Sequence, residues 1–167
     1  MMSQREVNRL VVLEGQCGYN DVAKTEFRKL SMKLMRELRE TLGMFSADVR
    51  YNAGGIAVSG DTTMHADVVY VTMNADALAS LGILYRTCKN QKDYSGGRNN
   101  WFSLDRLKTT GVKGLAAAIA QLLSGVTASG YKLVKDGVGY RVKAIEVTDD
   151  YTGSLEEQLF NDSQGGE

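Results

Sequence analysis

Phe27, Leu30, Leu34, Leu38 and Leu42 recur every three or four residues, and Gly43 follows the last of them. That spacing lines one face of an α-helix, because about 3.6 residues complete each turn. Asn20 or Asp21 is placed to cap the helix at its start, and Gly43 to end it in the left-handed conformation. Directly afterwards the apolar period drops to two. Residues 47–52, 55–59 and 67–73 read as consecutive strands, joined by Asn-Ala-Gly-Gly and Ser-Gly-Asp-Thr turns at 52–55 and 59–62. A long amphipathic helix followed at once by short strands must lay its apolar stripe on a sheet.

The remaining segments are read the same way. Residues 9–14 (RLVVLE) form a short apolar run closed by Gly15, which predicts a first strand, followed by a turn over 15–20. Residues 76–81 predict one helical turn. Residues 83–89 predict a strand whose partner is 101–104, across a Gly96-Gly97 tip. A second helix is expected over 112–123, fed by Thr109-Thr110-Gly111 and ended by Gly125. It is apolar nearly all round and is therefore expected to be buried. Residues 131–135 and 138–147 flank Asp136-Gly137, the strongest short-range hairpin signal in the chain. Ser154-Leu155-Glu156-Glu157 matches a capping box and predicts a short helix over 154–160, with 161–167 disordered. Strands that are not regularly separated by helices argue against a doubly wound parallel sheet. The expected fold is α+β, with a mainly antiparallel sheet packed against two helices and a short acidic C-terminal tail. Residues 1–147 are expected to form one domain and 148–167 the tail.

Charge divides the same two parts. The 167-residue chain has 20 cationic and 20 anionic side chains, so its formal net charge is zero. Seven of the acids (Glu146, Asp149, Asp150, Glu156, Glu157, Asp162 and Glu167) lie in the last two dozen positions, where no Lys or Arg occurs. The other thirteen acids leave residues 1–143 at +7. A basic body with an acidic tail suits a nucleic-acid binder or a protein that docks partners. The tail has three readings: an anionic mimic that competes for the basic body, a docking helix presenting Leu155, Leu159 and Phe160, or a solubilising end. Hydrophobic content of 43% with 24% charged residues indicates a globular protein. Proline is absent, which argues against proline-rich linkers. No apolar stretch approaches a membrane span, and no apolar signal region follows the first residues, so export is not expected. Cys17 and Cys88 are too few for a disulfide framework and read as reduced thiols in a cytoplasmic protein.

Residues 85–108 (YRTCKNQKDYSGGRNNWFSLDRLK) concentrate the chemistry. Arg86, Lys89, Lys92, Arg98, Arg106 and Lys108 face only Asp93 and Asp105, and Tyr85, Tyr94, Trp101 and Phe102 are interleaved with them. Cations hold phosphates and aromatic faces stack on bases, so this composition suits a hairpin that binds single-stranded nucleic acid or RNA. Arg86, Lys89, Lys92 and Arg98 are the candidate phosphate contacts, with Tyr94 and Trp101 as stacking rings. The alternative is a solvated hairpin whose Trp101 and Tyr85 turn inward. Lys132, Lys135, Arg141 and Lys143 form a second basic set on the Asp136-Gly137 hairpin, against the alternative of an ordinary solvated sheet face.

Signals for catalysis are weak. Gly15-Gln16-Cys17-Gly18 resembles the glycine-rich segment ahead of the papain-type nucleophile, but Tyr19-Asn20-Asp21 stand where Ser-Cys-Trp should follow. Cys17 therefore reads as structural, and His65, the single histidine, as a turn residue. One His without paired Cys excludes a typical zinc site, and Asp48, Asp61 and Asp67 match no cation-binding loop. No phosphate loop, dinucleotide fingerprint or nucleophile elbow occurs. No catalytic residues, cofactor or metal are expected, and a non-enzymatic role is favoured.

Residues 83–89 (ILYRTCK) with 92–101 (KDYSGGRNNW) resemble segments of small accessory proteins of tailed phages. The resemblance spans about 20 residues. It implies genome handling, inhibition of a host factor or a place in the virion, acting in the host cytoplasm, and it assigns no site. The expectation is a nucleic-acid-associated binding protein. The alternative is a protein-interaction module such as a host-factor inhibitor or virion component, often oligomeric.

Overall fold

The chain begins with a helix where a strand was predicted. In a computed structural model, α1 spans Gln4–Leu13 and absorbs most of the apolar run at 9–14. The cause lies upstream of that run. The Ser3 hydroxyl accepts from the Glu6 N–H at 3.1 Å, and the Glu6 carboxylate accepts from the Ser3 N–H at 3.0 Å, a reciprocal cap that starts a helix. Val7, Leu10 and Leu13 then fall on one buried face. The structure describes residues 1–15, 20–54, 60–66, 68–75, 82–90, 92–94, 97–124, 131–136 and 139–144, the last two segments by their backbone course.

Helix α2, Asp21–Leu42, forms as its periodicity requires. Asn20 caps it through a 3.1 Å bond from the Ala23 N–H, and Gly43 closes it at φ 69°. Arg9 grips Glu26 through two bonds of 2.7 and 2.8 Å, and Lys33 reaches Glu6 at 2.8 Å, so charged side chains tie α1 to α2 along their outer faces.

A five-stranded antiparallel meander follows. Its strands are β1 Asp48–Asn52, β2 Asp61–His65, β3 Val69–Asn74, β4 Ile83–Thr87 and β5 Asn100–Phe102, adjacent in chain order. The expected β4–β5 pairing is present, with Ile83 opposite Phe102. Strand β2 corrects the sequence reading, which treated 59–62 as a turn and His65 as a turn residue. Four consecutive residues of β2, Thr62 to His65, are buried, so the alternation that announces a strand is missing from the sequence. Thr62 lies on the core side, where its hydroxyl meets Ser31 of α2 at 2.5 Å.

The third helix, α3, spans Leu104–Ser124 and begins eight residues before its predicted start. Ser103 caps it, accepting from the Arg106 N–H at 3.2 Å. Gly111, at φ 67° and ψ −163°, breaks it into two pieces, and the predicted helix is the second of them. Among the described residues, three helices rather than the two expected accompany the sheet. The predicted hairpin is present as β6 Tyr131–Asp136 and β7 Gly139–Ala144, closing between Asp136 and Gly139. It forms a separate two-stranded sheet, with β6 beside α3 and β7 beside α2.

The core lies between the helices and one face of the five-stranded sheet. Leu10, Phe27, Leu34, Leu38, Leu107, Leu115 and Ile119 meet Met64, Val71, Met73, Ile83 and Phe102, all buried. Each such side chain contributes about 1.5–3 kcal/mol on leaving water. Among the described residues no helix is long and apolar enough to cross a membrane. The strand expected at 55–59, the helical turn at 76–81 and the tail, with its predicted helix at 154–160, lie outside the described residues.

Candidate functional site

Side chains directly opposite one another in an antiparallel sheet share a face. The register therefore gives the face turned away from the helices. One row crosses Asp48, His65, Tyr70 and Arg86, and the next crosses Arg50, Thr63, Thr72, Leu84 and Trp101. A third holds Asn52, Asp61 and Asn74. Among the described residues this face carries no helix, because α1–α3 occupy the core side. It is polar and aromatic.

Arg86 binds the loop between β4 and β5 to this face. The Arg86 guanidinium donates to the Tyr94 carbonyl at 2.6 Å, the Gly97 carbonyl at 3.0 Å, the Asn99 amide oxygen at 3.0 Å and the Thr87 carbonyl at 3.3 Å. It also lies over the Tyr94 ring, 5.6 Å from its centroid. Within the loop the Lys89 N–H donates to the Asp93 carbonyl at 2.9 Å, and the Lys92 N–H to the Asn90 side chain at 2.9 Å. Gly97 allows the close approach, since a Cβ there would strike the Thr87 carbonyl. The geometry makes Arg86 the anchor of the loop, with its fork committed to backbone and amide oxygens.

Beneath the anchor three rings meet. Tyr94 stacks on His65 with centroids 5.5 Å apart, and Tyr70 stands edge-on to both, at 5.2 Å from His65 and 5.5 Å from Tyr94. Burial pushes the Tyr70 hydroxyl above the usual phenol range. The Tyr94 hydroxyl is raised as well, first by burial and then by the nearby Cys88. His65 retains only 9% of its exposure, and its Nε2 lies 3.8 Å from the Cys88 sulfur. Cys88 is 6% exposed, and its sulfur is also 3.9 Å from the Ala66 carbonyl. Cys17, the cysteine set in the papain-like glycine segment, lies outside the described residues. Cys88 and His65 are 23 positions apart, and no local motif joins them.

The residues singled out from sequence divide into three groups. Tyr94, Trp101, Lys89, Lys92 and Arg98 gather around the loop and the β5 edge, all exposed. Trp101 does not turn inward: it is 42% exposed and opposite Leu84 on the face away from α1–α3, while Tyr94 is 38% exposed. Tyr85 faces the core, half-buried, as the alternative reading held. The ion pairs among the described residues are Arg9–Glu26, Lys33–Glu6 and Arg50–Asp48, and none engages the loop lysines or Arg98. Lys132, Lys135, Arg141 and Lys143 form the second group, on β6 and β7, the hairpin that contacts α3 and α2. Leu155, Leu159 and Phe160 lie outside the described residues. Sequence reasoning missed Tyr70 and Arg50, and alternation along 47–52 and 67–73 was the signal that puts both on one face.

Among the described residues no group of three or more His, Cys, Asp or Glu side chains is placed to hold a metal ion. Comparison with protein-family models, curated proteins and solved structures returned no match.

Proposed function

We propose that this is a non-enzymatic nucleic-acid-associated binding protein, with single-stranded nucleic acid or RNA as its ligand, lying along the loop and the β4–β5 edge. Trp101 carries the proposal. It is the only tryptophan of the chain, it is exposed on a sheet face that carries no helix among the described residues, and the loop leading to its strand carries the exposed cations Lys89, Lys92 and Arg98. Bases stack on Trp101 and Tyr94, while Lys89, Lys92 and Arg98 neutralise phosphates. Arg86 supports binding by holding the loop in place. The hairpin cations Lys132, Lys135, Arg141 and Lys143 belong to a second contact surface, reached by a longer strand. This role fits an accessory protein of phage type in the host cytoplasm.

The test is fluorescence anisotropy with labelled single-stranded oligonucleotides over a range of salt. Log affinity falls with log salt at about −0.7 per phosphate neutralised. A flat response overturns the reading. Deleting residues 151–167 tightens binding if the acidic tail competes for the same cations, and leaves affinity unchanged if it does not.

A protein-interaction module, such as a host-factor inhibitor or virion component, is the second reading. Exposed Trp101 and Tyr94, with Arg98 between them in the sequence, have the side-chain chemistry of protein hot spots. A partner retained from lysate after nuclease treatment supports it, and loss of that partner on nuclease treatment supports the first.

A further inference from the structure

Cys88 and His65 form a pair that the binding surface does not use. The sulfur and Nε2 are 3.8 Å apart, both residues are more than nine-tenths buried, and the Tyr94 ring stacks on the imidazole as the exposed cover. Backbone bonds fix both partners. The Cys88 N–H donates to the Val68 carbonyl at 2.9 Å, and the Ala66 N–H to the Val69 carbonyl at 3.0 Å, which locks the chain just beyond each residue's strand. Among the described residues, the other titratable or charged groups facing the imidazole are Asp48 opposite it on β1, Tyr70 on β3, Arg86 on β4 and Tyr94 in the loop. Asp48 is paired with Arg50, and Arg86 is committed to the loop. Neither tyrosine ionises near neutral pH, since both hydroxyls sit above the usual range. At 3.8 Å, the imidazole Nε2 is a base placed directly beside the thiol.

We propose that Cys88 and His65 constitute an imidazole-activated thiol, a modification site for small hydroperoxides. His65 Nε2 accepts the Cys88 proton. The thiolate sulfur attacks the terminal peroxide oxygen, and the S–O bond forms as the O–O bond breaks. The departing oxide takes the proton back from Nε2 and leaves as water or an alcohol. Sulfur loses two electrons to the peroxide, leaving a sulfenic acid on Cys88. A hydroperoxide is small enough to pass a single ring, and a nucleophilic thiolate rather than the thiol is what it requires.

The experiment uses the intact wild-type chain. Iodoacetamide labelling is followed against pH, and Cys88 and Cys17 are quantified separately by peptide mass spectrometry. An ordinary thiol titrates near pH 8.5. The Cys88 rate is expected to reach half its plateau at or below about pH 7.5, which makes the thiolate fraction at pH 6.5 about tenfold larger than for an unperturbed thiol. His65→Gln moves that midpoint up, whereas Tyr94→Ala raises the plateau rate and leaves the midpoint in place. Hydrogen peroxide followed by a 1,3-dione trap then places the adduct on Cys88. A wild-type midpoint above that value, or absence of the trapped adduct at Cys88, overturns the proposal. Neither readout depends on what the sheet face binds.

Discussion

Arg86 and Tyr94 are joined twice, by a 2.6 Å bond from the guanidinium to the Tyr94 carbonyl and by the stacking of that guanidinium on the Tyr94 ring at 5.6 Å. One side chain thus fixes both the course of the loop and the orientation of its aromatic residue. Arg86→Lys keeps the charge but not the fork. It is expected to lower stability by about 1–3 kcal/mol in urea denaturation, because the planar geometry and not the charge serves four acceptors. Hydrogen exchange at the Lys89 and Asp93 amides should accelerate in the same variant. Unchanged exchange there removes Arg86 as the anchor.

Trp101 separates binding from folding. Its ring is exposed, so Trp101→Ala should change stability little while lowering oligonucleotide affinity by about 1–3 kcal/mol, the usual range for loss of a stacking residue. As the single tryptophan it also reports directly, and quenching of its fluorescence on oligonucleotide addition is expected. Full affinity in Trp101→Ala would place the ligand elsewhere.

How much of this could be read from the chain depended on whether the cause was local. Helix α2 was legible because Asn20, the Leu spacing and Gly43 all lie within it. Helix α1 was misread because its capping pair, Ser3 and Glu6, sits ahead of the apolar run that drew attention. Strand β2 was hidden by two threonines and a histidine buried without alternation, a result of packing on both sides. Trp101 and Tyr94 were legible as residue types but not as exposed, since exposure follows from which face the helices cover. The His65–Cys88 pair was invisible in principle. It depends on the combined register of β2, β3 and β4, which no short motif encodes.

The Ser31–Thr62 pair is a buried polar contact between α2 and β2. Ser31→Ala takes away one partner and leaves the Thr62 hydroxyl in an apolar setting, expected to cost about 1–3 kcal/mol. Adding Thr62→Val should recover part of that loss, because both polar groups are then gone. Additive losses in the double variant would show that the two hydroxyls act separately.

Gly111 stands at φ 67° and ψ −163°, a conformation that residues with a side chain rarely adopt, and a Cβ there would meet open space. Any effect of Gly111→Ala is therefore conformational rather than steric crowding. A loss of about 1–3 kcal/mol is expected. At Gly82 (φ 109°) a Cβ would also strike the Phe102 carbonyl, so Gly82→Ala should lose more. Chemical denaturation of the two variants ranks them. Equal losses would mean that backbone strain alone governs both sites.

Glu6 links the helix cap to pH. The Lys33 hydrogen bond, followed by the Ser3 backbone N–H, lowers its carboxyl from an ordinary 4.5 to about 2. A carboxylate depressed in the folded state stabilises the protein fully above its unfolded value and ceases to do so as pH falls through the folded one. Wild type should therefore exceed Glu6→Gln in denaturation midpoint above about pH 4.5, and the difference should shrink steadily toward pH 2. Because the group lies at the surface, added salt should narrow the gap at pH 6 as well. A gap that stays constant from pH 6 to pH 2 would assign the effect to the hydrogen bond of the cap alone, with the Glu6 charge contributing nothing.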